Sequence, residues 1–369
     1  MWAHKYNNNV RSNMSIQKKT TIQDIARHAN VSVGTVDRVL HNRGSVMPEK
    51  KQRVEEAIKK LNYNPNALAS TLAFKKQLLI SALIPEATSF DGYWSLPKKG
   101  IELGVEKFKD FGLNLALQEF NLYDVSSFVK AAEAVLASNC QGVILAPIFK
   151  KESIDFIEKL EEKEISYVFI DLTIRNQNFL SYIGPHLKSS GLVAGKLFDS
   201  ILNQNEELLV LNMRKEVENH SNVGIIEEGF RNYFEFNKGP KNRTIHTLNL
   251  NSMSKERVSG ELKAFYKSHP NIKGVFVTNS RAHIAADFHR KMKLDIKIIG
   301  FDLVNKNIDS VKNGAIDFLI SQRPVFQGTT AVETFFNHFI YKKNPEKVQN
   351  VPLDIVIKEN IDFYLHANN

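Results

Sequence analysis

Apolar positions recur at two spacings along this chain, and the change from one to the other divides it. Over residues 21–62 they fall on helical stripes: Ile22, Ile25 and Ala26, then Val36, Val39 and Leu40, then Val54, Ala57, Ile58 and Leu61. Thr21 stands where an N-cap is needed, with Asp24 three residues on. Asn30 interrupts the first stripe, Ser32 can cap the second, and Pro48 suits the first turn of the third. Three helices of this length share one small core. Residues 1–19 are polar, carry Asn7, Asn8 and Asn9, and show no periodicity, which predicts a disordered leader. The connector YNPNALASTLAFKKQLL has too little apolar surface to form a domain. The expected boundaries are a leader at 1–19, a helical headpiece at 20–62, a hinge or linker at 63–77 and a core at 78–369.

From Leu79 the texture changes. Short, continuously apolar runs (LISALIP, GVILAP, YVFID) alternate with amphipathic stretches, and the alternation starts again after YIG at 182–184 with LLVLNM, GVFVTN and IKIIGFD. Fully apolar strands separated by helices predict parallel sheets covered on both faces. Two successive series predict an α/β core of two doubly wound parallel-sheet lobes, with a last strand near LDIVI. Ligands in such sheets bind at the carboxyl ends of the strands. This gathers the loops after Pro85, Pro147, Asp171, Met213, Asn279, Asp302 and Gln322 around one cleft.

Charge sharpens this division. Residues 1–77 hold 14 Lys and Arg against 5 Asp and Glu, whereas the rest of the chain holds 35 of each, so the whole net charge of +9 sits in the first fifth. That asymmetry points to an anionic partner for the headpiece. No apolar run approaches the roughly 18 residues of a membrane span, and the first residues lack the apolar segment of a secretory signal. A single cysteine, Cys140, excludes an internal disulfide and a multi-cysteine metal cluster, and fits a reducing, cytoplasmic setting. Neither a metal nor a cofactor is implied.

Within VSVGTVDRVL, a short helix, a tight turn through Ala29–Val31 and a second helix with an outward face describe a helix-turn-helix. Val33, Gly34, Asp37 and Arg38 lie outside its apolar stripe. Arg38 can bond a guanine edge in two places, and Thr21, Ser32 and Thr35 can meet phosphates through hydroxyls and helix-end amides. A plain three-helix bundle with an exposed arginine satisfies the same spacing; the local charge favours DNA. By spacing alone, PNALASTL is equally a short helix and a linker. GLVAGKL at 191–197 lacks phosphate-loop spacing, neither Gly-x-Ser-x-Gly nor His-Glu-x-x-His occurs, and His283 and His289 read as helix-surface residues, so an enzyme is not expected.

Residues 21–73 resemble, without a gap, the headpiece and hinge of the LacI/GalR (lactose-repressor) family. The strings YIG, IIGFD and SQRP resemble that family's periplasmic-binding-protein-like (type I) core. The resemblance implies DNA contacts from Thr21, Ile22, Ser32, Val33, Gly34, Thr35, Arg38 and His41. It also implies a hinge helix that enters the minor groove through Asn66, Ala69 and Leu72. Val33 and Gly34 stand where polar base-reading side chains are common, Asp37 where a small hydroxyl residue is usual, and Ser70 where Arg or Gln is frequent. Effector-contacting positions match Asp171, Asn279, Asp302 and Gln322; from the residues themselves, Phe90, Tyr93 and Trp94 could stack on an apolar ring face. The arginine often found three residues before Gly229-Phe230 is here Ile226, with His186, Asn222 or Arg281 as substitutes. The implied function is a homodimeric transcription repressor that binds double-stranded operator DNA under control of a small-molecule effector, a sugar or derivative. A purine-responsive regulator and a solute-binding protein without regulatory role are the alternatives.

Overall fold

The computed structural model describes residues 20–40, 45–61, 77–87, 92–213, 220–236, 243–251 and 254–367. The chain separates into two units, Met1–Phe74 and Lys75–Asn369. The expected leader, residues 62–76 with nearly all of the expected hinge, and His41 lie outside the described residues, as does Phe90.

The first unit holds α1 (Ile22–Ala29), α2 (Val33–Leu40) and α3 (Pro48–Lys60). Thr21 and Asp24 form a reciprocal capping box, so two amide donors at the start of α1 are satisfied by side chains. Asn30 ends α1 in the left-handed region at φ 50, a conformation that Asn tolerates better than most residues, and its amide returns to Ala26 and Arg27. Ile25, Ala26, Ala29, Val36, Val54 and Ala57 make the core, with Ile22, Val39, Leu40, Ile58 and Leu61 packed around it.

The second unit contains two six-stranded sheets. The first takes β1 (Leu78–Pro85), β2 (Leu113–Phe120), β3 (Gly142–Leu145), β4 (Ser166–Ile170), β5 (Ser181–Gly184) and the distant β11 (Val348–Asn350), in spatial order β11-β5-β4-β3-β1-β2. Its helices are α4 (Ser95–Phe108), α5 (Val125–Ala137) and α6 (Lys150–Glu162). The second sheet takes β6 (Glu207–Met213), β7 (Ile245–Leu250), β8 (Ile272–Val277), β9 (Lys297–Phe301), β10 (Phe318–Ser321) and β12 (Asp354–Val356), in order β12-β10-β9-β8-β6-β7. With it go α7 (Leu187–Ile201), α8 (His220–Phe236), α9 (Lys255–Ser268), α10 (Ala282–Met292) and α11 (Asn305–Lys312). α12 (Pro324–Tyr341) follows β10 but buries Ala331, Val332, Phe335 and Phe336 in the first lobe, and α13 (Ile361–Ala367) comes last.

The chain therefore crosses between lobes three times: at 185–186, at 322–323 and at 351–353. Two details depart from the sequence expectation. The tail supplies two short strands, one to each sheet, and the last, β12, runs antiparallel to β10. Strands of three residues are too short to show a hydrophobic period, so the sequence marked only one of them. His283 and His289 are buried, not on the helix surface. His283 shares Asn307 Oδ1 with its own backbone amide, while His289 Nε2 lies 2.7 Å from the Tyr266 hydroxyl, and burial lowers its pKa to about 4.

Each lobe owes its shape to one pair of helices in backbone contact. A Cβ at Gly100 would lie 2.0 Å from the Val325 carbonyl, joining α4 to α12. One at Gly191 would lie 2.0 Å from the Ile226 carbonyl, and one at Gly229 2.1 Å from the Lys188 carbonyl, joining α7 to α8. Only glycine permits that approach. Gly229→Ala is accordingly expected to destabilise the core by about 1–3 kcal/mol, the usual penalty for overpacking. The check is the midpoint of denaturant unfolding; an unchanged midpoint would mean that the two helices separate without penalty.

Candidate DNA-reading helix and interlobe cleft

In the headpiece, the outward surface of α2 is small and chemically simple. Val33, Gly34 and Arg38 are exposed, whereas Val36 is buried and Val39 and Leu40 pack inward. Thr21 and Ser32 are exposed and Thr35 half-buried. Their hydroxyls already act at helix starts: Thr21 bonds Asp24, and Ser32 Oγ lies 2.9 Å from Thr35 Oγ1 and accepts the Thr35 amide. Ile22 is half-buried against the core. Beside Gly34, Ser32 Oγ at 3.9 Å is the nearest atom a Cβ would meet, so the start of α2 presents bare backbone outward.

The core cleft encloses about 160 Å3 and gathers residues from both lobes. Tyr93, Trp94, Leu122, Ile148, Asp171 and Leu172 line it from the first lobe. Facing them are Leu187 at the first crossing, Val223 and Ile226 of α8, Thr278 to Arg281, Asp302, and Gln322 at the second crossing. All four sequence-predicted polar positions, Asp171, Asn279, Asp302 and Gln322, therefore meet at one site.

The two aspartates occupy equivalent places. Asp171 follows β4 and Asp302 follows β9; both have φ 64, and both donate their amide to the neighbouring strand, to Ile183 and Ile320 at 3.1 Å. This left-handed turn tips each carboxyl off the strand end and towards the seam. Asp302 is buried and receives Gln322 Nε2 at 3.2 Å. The backbone beneath it is held by Asn307, whose Nδ2 donates to the carbonyls of Phe301, Ser280 and Asp302. Asp171 accepts the Tyr93 hydroxyl. Burial raises the Asp171 carboxyl to about 6, with the Tyr93 bond opposing the rise. Tyr93 in turn is pushed well above its usual value by burial and by Asp171. The Tyr182 hydroxyl sits 3.2 Å from the Asp171 carbonyl and 3.0 Å from that of Pro185, so the first crossing is tied to the same loop.

Other side chains are occupied differently from their sequence reading. Asn279 is turned onto the protein: its Nδ2 donates to the Met213 carbonyl at 2.7 Å and its Oδ1 accepts the Arg281 amide at 3.2 Å. Tyr93 and Trp94 are largely buried and pack edge to face, 5.2 Å between centroids, forming a wall. Of the substitutes for the missing arginine, His186 caps α7 through Ser189, and the Asn222 side chain lies outside the described residues. Arg281 is buried in the cleft lining; its NH1 donates to Met213 and its NH2 crosses to the Tyr123 hydroxyl of the first lobe at 3.1 Å. Ile226 is buried and packs with Phe230 and Phe276. Behind the cleft, Thr278 donates to Asn212, which donates to Glu227. Burial pushes the Glu227 carboxyl up, but hydrogen bonds from Thr247, Arg231 and Asn212 outweigh it and hold the carboxyl below its usual range.

Sequence reasoning missed Gln327, which is fully buried in α12 and bonds both sides of the seam. No sequence signal singled it out, because its helix also carries Thr329, Thr330, Glu333, Thr334, Asn337 and His338. Among the described residues there is no group of His, Cys, Asp and Glu able to hold a metal, and no helix long and apolar enough to cross a membrane.

Known proteins match this layout in both units. The family model of the periplasmic binding protein domain matches residues 81–343, and that of bacterial regulatory proteins of the lacI family matches residues 21–66. The catabolite control protein A of Staphylococcus xylosus is 44% identical over 82 residues, 22% of this chain and 24% of that protein. The alignment thus spans about a quarter of the length of the curated relatives it matches. A solved structure from Bacteroides fragilis, proposed to be a LacI transcriptional regulator, is 28% identical with TM-score 0.73, covering 78% of this chain and all of that one. GanP, a glucose-galactose binding protein from Geobacillus stearothermophilus, shares the fold at 20% identity and TM-score 0.66, covering 78% of this chain and 99% of its own. Through its core the chain belongs to the periplasmic binding protein domain family, and its headpiece matches the family model of bacterial regulatory proteins of the lacI family over residues 21–66.

Proposed function

We propose that this chain is a cytoplasmic, homodimeric transcription repressor whose grip on double-stranded operator DNA is set by a neutral sugar, or a sugar derivative, held between the lobes. The observation that carries the reading is the union in one chain of a lacI-type headpiece, with Val33, Gly34 and Arg38 turned outward, and a ring-sized cleft bearing one carboxylate from each lobe. On DNA, Arg38 reads a base edge. Thr21, Ile22, Ser32, Thr35 and His41 hold the backbone, and Asn66, Ala69 and Leu72 enter the minor groove from the hinge. A single headpiece is too small for specific affinity, which argues for a pair of chains on a palindrome.

In the cleft, 160 Å3 is close to the roughly 150 Å3 that takes a benzene-sized ring. That favours one monosaccharide ring over two. Sugar hydroxyls both donate and accept, which suits carboxylates beside amides. Two acidic groups with Ile226 in place of an arginine disfavour a strongly anionic ligand. A ligand touching Asp171 from one lobe and Asp302 from the other favours the closed arrangement, and operator affinity changes by linkage. A thermal-shift screen of neutral monosaccharides, sugar phosphates and nucleobases tests this. Stabilisation by a neutral monosaccharide is expected, and stabilisation by nucleobases alone would remove the sugar reading.

Three measurements sharpen it. Arg38→Ala should weaken specific operator binding by about 1–3 kcal/mol and random-sequence binding far less; equal losses on both DNAs would make Arg38 a phosphate contact. Asp302→Ala should weaken calorimetric binding of the screened sugar by about 1.5–3 kcal/mol, the worth of a hydrogen bond to a charged group; unchanged binding would displace the site. The third is pH. The charged form of Asp171 is the stronger acceptor and its carboxyl titrates near 6, so sugar affinity should be full above that value and fall as pH drops through it. Asp171→Asn should flatten the profile, and a wild-type affinity that stays constant from pH 8 to 5 would rule out a role for the Asp171 charge.

A further inference from the structure

We infer that Gln327 is a positioning residue that sets the angle between the lobes by tying the backbone of Asp171 to that of Gln322 through one buried amide. The inference rests on the effector reading above only for what a closed cleft accomplishes. Gln327 lies in the first turns of α12, a helix that buries its later turns in the first lobe, and its side chain is 0% exposed. Its Oε1 accepts the Asp171 amide at 3.0 Å, on the first lobe. Its Nε2 donates to the Gln322 carbonyl at 2.8 Å, where the chain leaves the second lobe. Gln322 in turn directs its own Nε2 at the Asp302 carboxylate. One side chain thus connects the loop of Asp171 to the residue that clamps Asp302.

The chemistry at this position is narrow. The Asp171 N–H, which is shared with the Ile183 carbonyl, lies on one side and the Gln322 carbonyl on the other, and a side-chain amide joins the two through its acceptor and its donor. The corresponding amide of the second lobe, Asn307, performs a related task entirely inside that lobe, bonding Ser280, Phe301 and Asp302. Gln327 is placed differently: its two bonds lie on opposite sides of the second crossing. Rotation of the lobes about that crossing must stretch or break the bond to Gln322, leaving a buried carbonyl without its partner. Adjacent to it, Arg323 sits at φ 48 and is held by Asp354 of β12 through two bonds of 2.7 Å, so the crossing is clamped on its second-lobe side as well.

The test measures lobe separation directly and needs neither effector nor DNA. Spin labels at Lys130→Cys and Lys263→Cys, exposed positions on α5 and α9, report the interlobe distance in the full chain with Cys140→Ala. Wild type should give one narrow distribution. Gln327→Leu, which removes both bonds, should raise the open-to-closed ratio roughly tenfold, the order of a lost buried hydrogen bond. Gln327→Glu keeps volume and acceptor but lacks the donor, so it should open the lobes as well; it carries the test should the Leu variant fail to fold. Thr334→Val in the same helix loses a buried bond from Gln349 within the first lobe and should lower the melting temperature without widening the distribution. If both Gln327 variants melt lower yet keep the wild-type distribution, Gln327 only packs the first lobe and the inference is overturned. If they open the lobes while no sugar binds the wild type, the inference stands and the effector reading falls.

Discussion

A carboxylate at the seam of two lobes must be hydrogen-bonded or it loses its charge, and the cleft is organised around satisfying that demand twice. Asp171 takes a tyrosine hydroxyl and Asp302 takes a glutamine amide. Both are aimed by the same backbone device, a left-handed residue just past a strand end whose amide returns to the next strand. The difference between them lies in what holds the backbone. Asp302 rests on Asn307, within its own lobe, whereas Asp171 rests on Tyr182 and Gln327, which also touch the first and second crossings. The carboxylates are therefore elements of the hinge as much as of the lining.

Around this seam the two lobes repeat one plan with different contents. Parallel sheets have to be covered on both faces, and in each lobe one of the covering helix pairs is brought to backbone contact by glycines. In the first lobe that pair carries Tyr93 and Trp94 at its entry and Gln327 in its partner. In the second it carries Leu187, Val223 and Ile226. The aromatic wall and the aliphatic wall of the cleft follow from which side chains happen to stand at the mouths of these pairs. Arg281, bridging to Tyr123, adds a direct bond across the opening.

The headpiece works on another principle. Its core has six buried residues among those described, so its stability depends on local devices: a capping box, a left-handed stop and a proline at a helix start. Those devices fix two helices at an angle that leaves Val33, Gly34 and Arg38 outward. Residues 1–77 carry the whole excess positive charge, while the remainder of the chain is balanced. The charged headpiece and the neutral core are thereby separated by composition as well as by fold.

The order of helices and strands, the two-lobed core, the caps at Thr21 and Asn30 and the gathering of Asp171, Asn279, Asp302 and Gln322 at strand ends were all legible in the residues alone. Periodicity and capping are local properties, and in parallel sheets a strand end is already a place. What each side chain does there was decided by packing. Asn279 turned onto Met213 and Arg281, Tyr93 was drawn onto Asp171, and His283 and His289 were buried because tertiary partners for them existed. Strand β11 is too short to carry a pattern and exists only as a neighbour of β5, and β12, legible as LDIVI, owes its antiparallel direction to its pairing with β10. Gln327 is the clearest case: one polar residue among several in its helix shows nothing by itself, and it acquires a role only when a contact between residues 156 apart brings the Asp171 amide to its oxygen. The sequence alone determined which elements form and where a ligand can reach, since both follow from near neighbours. Only the tertiary structure decided which polar groups face the ligand and which hold the lobes, because hydrogen bonds between distant residues settle that choice.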